Sequence, residues 1–225
     1  MSARGVFVTG TDTGIGKTYA SCALLAALRA RGLRAVGMKP VASGCRATSQ
    51  GLRNEDTDAL IAASDPAPAY ADCNPFAFAE PIAPHIAARE SAIEIRLDPI
   101  RSAYARLAVG VDRIVVEGVG GWMVPFSETL MQADLVRALD LPVILVVGLR
   151  LGCVNHALLS VRAIRDDGCT LASWIANRID PTMACADANL ATLRDRIGAP
   201  LLGVLDHAPG AASEYAADQL DMSAL

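Results

Sequence analysis

The sequence predicts one α/β domain with a mostly parallel β-sheet and helices on both faces. Three observations predict it. Apolar runs of strand length alternate with helical patterns along most of the 225 residues, the order that builds parallel βαβ units. Hydrophobic residues make up 52% of the chain but aromatics only 4%. The core must therefore be Ala, Val, Leu and Ile, as in buried parallel strands flanked by helices. Finally, an apolar run passes through a glycine-containing loop into a helical pattern that starts on Gly-Lys-Thr. That strand–loop–helix setting belongs to a phosphate-binding loop, and it makes the expected architecture a single-domain P-loop NTPase fold over residues 1–225.

The elements follow in order. Gly5–Val8 reads as a buried strand and Tyr19–Leu28 as an Ala/Leu-rich helix. Between them, glycines let the backbone approach an anion, and the loop and helix-terminal N–H groups favour negative charge. Lys17 is placed to reach β- and γ-phosphates, and the Thr18 hydroxyl to ligate Mg²⁺. Counting back from Gly16 puts Thr11 where the usual spacing has its first glycine, so the loop is one residue longer than the common pattern. Ala35–Met38 is a strand ending in Lys39-Pro40. Val41–Glu55 is polar and Gly/Ser-rich, hence loop, and Asp56–Ala63 is a short helix. Residues 65–84 hold five prolines and read as irregular. Pro99–Val109 is helical, and Arg113–Glu117 is a strand ending in an acid before a glycine-rich turn. Met131–Leu139, Asn155–Asp166 and Met183–Ile197 read as helices. Pro142–Gly148, Leu171–Ala176 and Pro200–Leu205 read as strands. The tail from Pro209 is Ala-rich and weakly patterned, with a frayed end expected.

Composition excludes several function classes. The net charge is −4 with the charges mixed, so no basic tract invites nucleic acid or an anionic membrane. No apolar run reaches the length of a membrane span. Six cysteines lie scattered without a C-x-x-C pair, and Met1–Arg4 leads straight into the first strand. Free thiols, no signal peptide and a cytoplasmic location are expected. The three histidines do not cluster at ligand spacing, and no G-x-S-x-G elbow is present.

In a parallel α/β sheet, ligands collect at the carboxyl ends of strands. Glu117 closes a strand there and could hold Mg²⁺ opposite Thr18. Asp56 could join it, although an acid heading a helix also reads as an N-cap, and Asp58 lies close enough to compete for the role. Lys39 closes the second strand, its backbone fixed by Pro40, with Ser43-Gly44 just beyond. It could neutralise a transferring phosphoryl group or an anionic nucleophile; the alternative is a snorkelling surface lysine. As a strand-end residue it is expected to add little to stability. These residues describe a Mg²⁺-dependent nucleotide-binding protein and leave its second substrate open.

Several segments together resemble the dethiobiotin synthetase family, ATP-dependent enzymes of biotin synthesis. They are Gly10–Thr18, Lys39–Gly44, Gly51–Asp56, Phe78–Pro81 with Pro84-His85, Glu117–Trp122, Leu151–Ala157 and Trp174–Asn177, in order from about residue 6 to about residue 205. The long loop spacing is a trait of that family. The resemblance implies a ligase using 7,8-diaminononanoate, CO₂ and Mg-ATP. Lys17 and Lys39 would hold phosphates and carbamate. Thr18, Asp56 and Glu117 would hold Mg²⁺, and Ser43 would contact the diamine or carbamate. Gly14, Ile15, Gly16, Lys17, Thr18 and Tyr19, with Gly118, Val119 and Gly120, would cradle ATP. Asn177 and Arg178, with Asp206, His207 and Ala208, would lie on the base side. The family is homodimeric, and Gly152, Cys153 and Asn155 would reach the partner's substrate site. One position departs from the pattern: Asp206 stands where the family usually has proline, which puts the base-side contacts in question.

Two other readings compete. A partition- or positioning-type switch ATPase shares the P-loop, but usually carries a second lysine early in the loop, where this chain has Thr11-Asp12-Thr13. It also often ends in a basic amphipathic helix, and the tail has no basic face. An amidoligase fused to a glutaminase would need a second domain to supply ammonia.

Overall fold

A computed structural model describes residues 4–208, 210 and 212–224. In chain order the elements are β1 (Arg4–Gly10), α1 (Lys17–Ala30), β2 (Ala35–Met38), β3 (Val41–Ala42), β4 (Arg46–Thr48), β5 (Gly51–Arg53), α2 (Glu55–Ala63), α3 (Tyr70–Cys73), β6 (Phe76–Ala77), α4 (Pro84–Glu90) and α5 (Leu97–Leu107). They continue with β7 (Arg113–Glu117), α6 (Gln132–Leu139), β8 (Val143–Gly148), α7 (Cys153–Asp166), β9 (Leu171–Asn177), α8 (Ala186–Ile197), β10 (Leu201–Leu205) and α9 (Ser213–Ala217). No helix among the described residues is long and apolar enough to cross a membrane.

The central sheet has six strands in the order β10-β9-β8-β1-β7-β2, and every pairing is parallel. β1 is interior, between β7 and β8. Alternation along it sends Phe7 into one apolar cluster and Val8 into the other, which is how a strand covered on both faces must distribute its side chains. β8 is buried at all six positions. The first cluster lies under α5 to α8, with Trp174 and Phe126 among its fully buried side chains. The second lies under α1, with Leu24 and Leu25 at its centre.

Three expectations change. The stretch read as loop contains the short antiparallel hairpin β4–β5, and β3 pairs with β6 across the proline-rich stretch. That stretch also carries α3, and α4 starts at its end on Pro84, a residue suited to the first helical turn because no N–H is needed there. The tail is ordered further than its pattern suggested. α9 forms, Ala216 and Met222 are buried, and Gly203 bridges antiparallel to Leu220 on the open side of β10. Pro209, Ala211 and Leu225 lie outside the described residues.

Candidate active site

The loop after β1 turns through Gly14 and Gly16, both at positive φ, a conformation that costs glycine nothing. α1 then starts at Lys17, and the Asn177 side chain packs so close that a Cβ on Gly16 would stand 2.1 Å from its Nδ2. Lys17 is buried, and its Nζ folds back to donate to the Asp12 carbonyl at 2.8 Å. Burial, reinforced by the Lys39 ammonium, holds its pKa down to about 8.

Strand ends bring the remaining charges together. Lys39 Nζ sits 2.6 Å from Asp56 Oδ2 and 2.6 Å from Glu117 Oε1. Thr18 Oγ1 donates to the same Glu117 oxygen at 2.9 Å. Lys39 is 3% exposed and Glu117 fully buried, so Lys39 is no snorkelling surface residue. Burial alone would lower its pKa, but the Glu117 and Asp56 carboxylates outweigh that and hold it above the usual lysine value. For Asp56, burial pushes the carboxyl up and Lys39 pulls it further down, so it lies below the usual carboxylate range. The N-cap of α2 is Asn54, whose Oδ1 accepts from the Asp56 and Thr57 N–H groups. Asp56 is therefore free of capping duty and faces the site. Asp58 instead pairs with Arg46 and Arg53 and does not line the cavity that Asp56 faces.

Thr18, Asp56 and Glu117 present only oxygen donors, the chemistry of a hard divalent cation. Glu117 Oε2 is buried without a partner, an acceptor left open on that side. The three donors fit Mg²⁺. Two carboxylates and a hydroxyl are too few for a site built by acids and histidines alone, and no cluster of three such side chains occurs among the described residues.

A cavity of about 650 Å³ opens over these groups, lined also by Ser43, Val119, Gly120 and Pro81. It meets a second cavity of about 380 Å³ at Gly14 and Gly16. Tyr19, Asn177, Arg178, Asp206, His207 and Ala208 line the second. Ile15 is buried in the core and contributes its carbonyl, which accepts from Asn177 Nδ2 at 2.9 Å. Gly118 does not line the first cavity but leads directly from Glu117 into its wall. Asp206 uses groups that a proline lacks. Its N–H donates to Gln219 Oε1 at 3.0 Å, and its carboxylate accepts from Gln219 Nε2 and Tyr215 Oη.

Gly152, Cys153 and Asn155 are not brought to either cavity. They sit at the start of α7, with Asn155 exposed and Cys153 buried. Sequence reasoning missed Gln132, a fully buried amide behind the Gly118–Gly121 turn; one polar residue at a helix start carries no signal of its own. It also missed Ile82 and Ala83, which form part of the cavity wall from the proline-rich stretch.

A family model described as an AAA domain matches residues 4–214. Curated relatives named ATP-dependent dethiobiotin synthetase BioD include one from Xanthomonas euvesicatoria pv. vesicatoria, 57% identical over 94% of both chains. Another, from Xylella fastidiosa, is 57% identical over 93% of this chain and 92% of its own. A third, from Xanthomonas oryzae pv. oryzae, is 54% identical over 99% of both. Among solved structures, chloroplast FtsY from Physcomitrella patens superposes with a TM-score of 0.54 at 15% identity, covering all of this chain and 63% of that one. The signal recognition particle receptor FtsY from Elizabethkingia anophelis, in complex with GDP, gives 0.51 over 62% of its length, also at 15% identity. This chain thus spans less than two thirds of those two proteins, and the likeness concerns the fold alone. Identity above one half along nearly the whole length is of another order, and by it the chain belongs to the family of ATP-dependent dethiobiotin synthetases.

Proposed function

We propose that this protein closes the ureido ring of dethiobiotin from 7,8-diaminononanoate and CO₂ at the expense of ATP. The observation that carries the reading is the buried Lys39–Glu117 pair, joined by the half-exposed Asp56, on the floor of a cavity whose other wall is the P-loop. One amine adds to CO₂, loses a proton and becomes a carbamate. A carbamate oxygen attacks the γ-phosphorus and ADP leaves. The second amine then attacks the carbonyl of the mixed anhydride, and phosphate departs as the ring closes.

Each step asks for positioning and charge neutralisation rather than a nucleophilic side chain. Lys17 and the loop N–H groups receive the phosphates. Lys39, held in place by its two carboxylates, faces the carbamate and the charge that develops during transfer. Ser43 lies on the carbamate side. Thr18, Asp56 and Glu117 would hold Mg²⁺, which supplies charge neutralisation at the β- and γ-phosphates when bound. Asn177, Arg178 and residues 206–208 form the base side. A homodimer in which Gly152, Cys153 and Asn155 serve the partner's cavity, and a cytoplasmic location, belong to the same proposal.

The test is release of ADP with and without the diamine and bicarbonate, with the product identified by mass. ADP release that ignores the diamine would instead mark a switch ATPase. The near-full-length relationship to the synthetases argues against that alternative.

A further inference from the structure

We propose that Gln132 is a positioning residue for turnover: it fixes the glycine turn that forms one wall of the catalytic cavity. The inference rests on the reading of that cavity given above. Gln132 is the first residue of α6 and is fully buried. Its Oε1 accepts from the Val119 N–H at 2.8 Å, and its Nε2 donates to the Gly121 carbonyl at 2.8 Å. One amide thus spans the turn from both sides and satisfies a donor and an acceptor that no regular element serves.

The fit leaves no slack. A Cβ on Gly118 would stand 2.7 Å from Gln132 Oε1 and 2.8 Å from Phe7 Cζ. The turn is tied down at both ends: the Gly118 N–H donates to the Val8 carbonyl at 2.9 Å, and Trp122 Nε1 donates to Asp167 Oδ2 at 2.6 Å. Between these anchors only Gln132 holds Val119 and Gly121 by side-chain hydrogen bonds among the described residues. The turn starts directly after Glu117 and lies against the P-loop, with the Gly121 Cβ position 3.5 Å from the Gly10 carbonyl oxygen. A shift of the turn would therefore be felt at the Glu117 carboxylate and along the phosphate side of the cavity.

The test compares Gln132→Met, which keeps the length and removes both bonds, with Gln132→Glu. The latter keeps an acceptor for Val119 and loses the donor to Gly121; its carboxylate is fully buried, a cost that the helix N-terminus offsets only in part. Displacing reacting groups by about 1 Å typically costs on the order of 10²-fold in rate. Gln132→Met is expected to lose about that much kcat, and Gln132→Glu to fall between it and the unaltered protein. ATP affinity measured by calorimetry should fall much less, because Lys17 and the loop N–H groups remain. The Val119 amide should exchange faster with solvent in Gln132→Met, which removes its acceptor, and stay protected in Gln132→Glu.

A lowered melting point with unchanged kcat makes Gln132 purely structural and overturns the inference. A loss of ATP affinity equal to the loss of kcat overturns it as well. If Gln132→Met is insoluble, the kcat of Gln132→Glu set against its ATP affinity decides by itself: a loss of kcat without a matching loss of ATP affinity supports the inference, and an unchanged kcat overturns it. Unaltered protein that binds ATP but shows no diamine-dependent turnover refutes the functional reading, and this inference falls with it. Normal turnover in the unaltered protein and in both variants removes the inference alone.

Discussion

Replacing Lys39 by methionine keeps most of its stem and deletes its charge. Glu117 is fully buried and Lys39 is 3% exposed, so the variant strands a carboxylate away from water. Breaking a buried pair by removing one partner costs about 3–5 kcal/mol. The Asp56 side chain is 43% exposed, so solvent takes over most of its loss and it adds little. For a chain of this size each kcal/mol lowers the melting temperature by roughly 2–4 °C. The expected drop is therefore about 6–20 °C, which reverses the expectation that a strand-end lysine adds little to stability. Adding Glu117→Gln removes the stranded charge, so the double variant should regain most of the lost stability while staying inactive. That sign of coupling is the mark of a direct pair. Turnover should fall by on the order of 10²–10³, the usual cost of one preorganised electrostatic group, and ATP affinity by much less. Thermal melts of the two single variants and the double variant, turnover at saturating substrates and ATP calorimetry make the comparison. A Lys39→Met melting point within about 2 °C of the unaltered protein refutes the buried-pair reasoning, as does a double variant no more stable than the single one. Near-normal kcat removes Lys39 from the chemistry, and ATP binding that falls as far as turnover makes it a nucleotide ligand.

Lys17, held to about 8 by burial and by Lys39, costs stability while charged. That cost fades as pH rises from about 8 toward the ordinary lysine value of about 10.4. A phosphate beside it reverses the shift, so ATP binding should take up protons near about pH 8.5 and weaken above it. Calorimetry in buffers of different ionisation enthalpy reads the uptake, and its absence would refute the assignment. On the base side, Asp206→Pro removes both the N–H given to Gln219 and the carboxylate that Gln219 and Tyr215 hold. The unaltered protein should discriminate less among ATP, GTP and CTP than the proline variant does; a strong ATP preference that persists in Asp206→Pro and Asp206→Ala removes the rationale. Mixing inactive Lys17→Ala with inactive Asn155→Ala protomers should restore some activity, because hybrid dimers would hold one intact site. No recovery after confirmed subunit exchange speaks against a shared site.

The sheet was legible because its strands are apolar at nearly every position, and such runs stay visible without neighbours. β7, from Arg113 to Glu117, is where the pattern placed it, and β8 starts one residue later than expected. The two-residue strands β3 and β6 were not legible, since their pairing joins Val41 to Phe76 across a span with no periodicity of its own. In the site, the P-loop motif and the strand-end acid located Lys17, Thr18 and Glu117. That Asp56 faces the cavity while Asp58 is paired needed coordinates, because the β4–β5 hairpin is what brings Arg46 and Arg53 to Asp58. The burial of Lys39 was equally hidden: a lysine after an apolar run reads the same whether it faces water or two carboxylates.

The strand order carries a consequence for how the protein comes into being. β1 is synthesised well before the two strands it pairs with, and its register partners run from Arg113 to Glu117 and from Val143 to Val146. A nascent chain that has emerged only through α5 holds an apolar strand with both hydrogen-bonding edges empty. Such edges pair with whatever strand they meet, and closure across so many residues is slow because ordering precedes its reward. The loop that would hold ATP is made before β7 and β8, so the strands that flank β1 are complete only once β8 has left the ribosome. Until then the growing chain carries an apolar strand with unpaired edges, and nucleotide has no formed site through which to steady it.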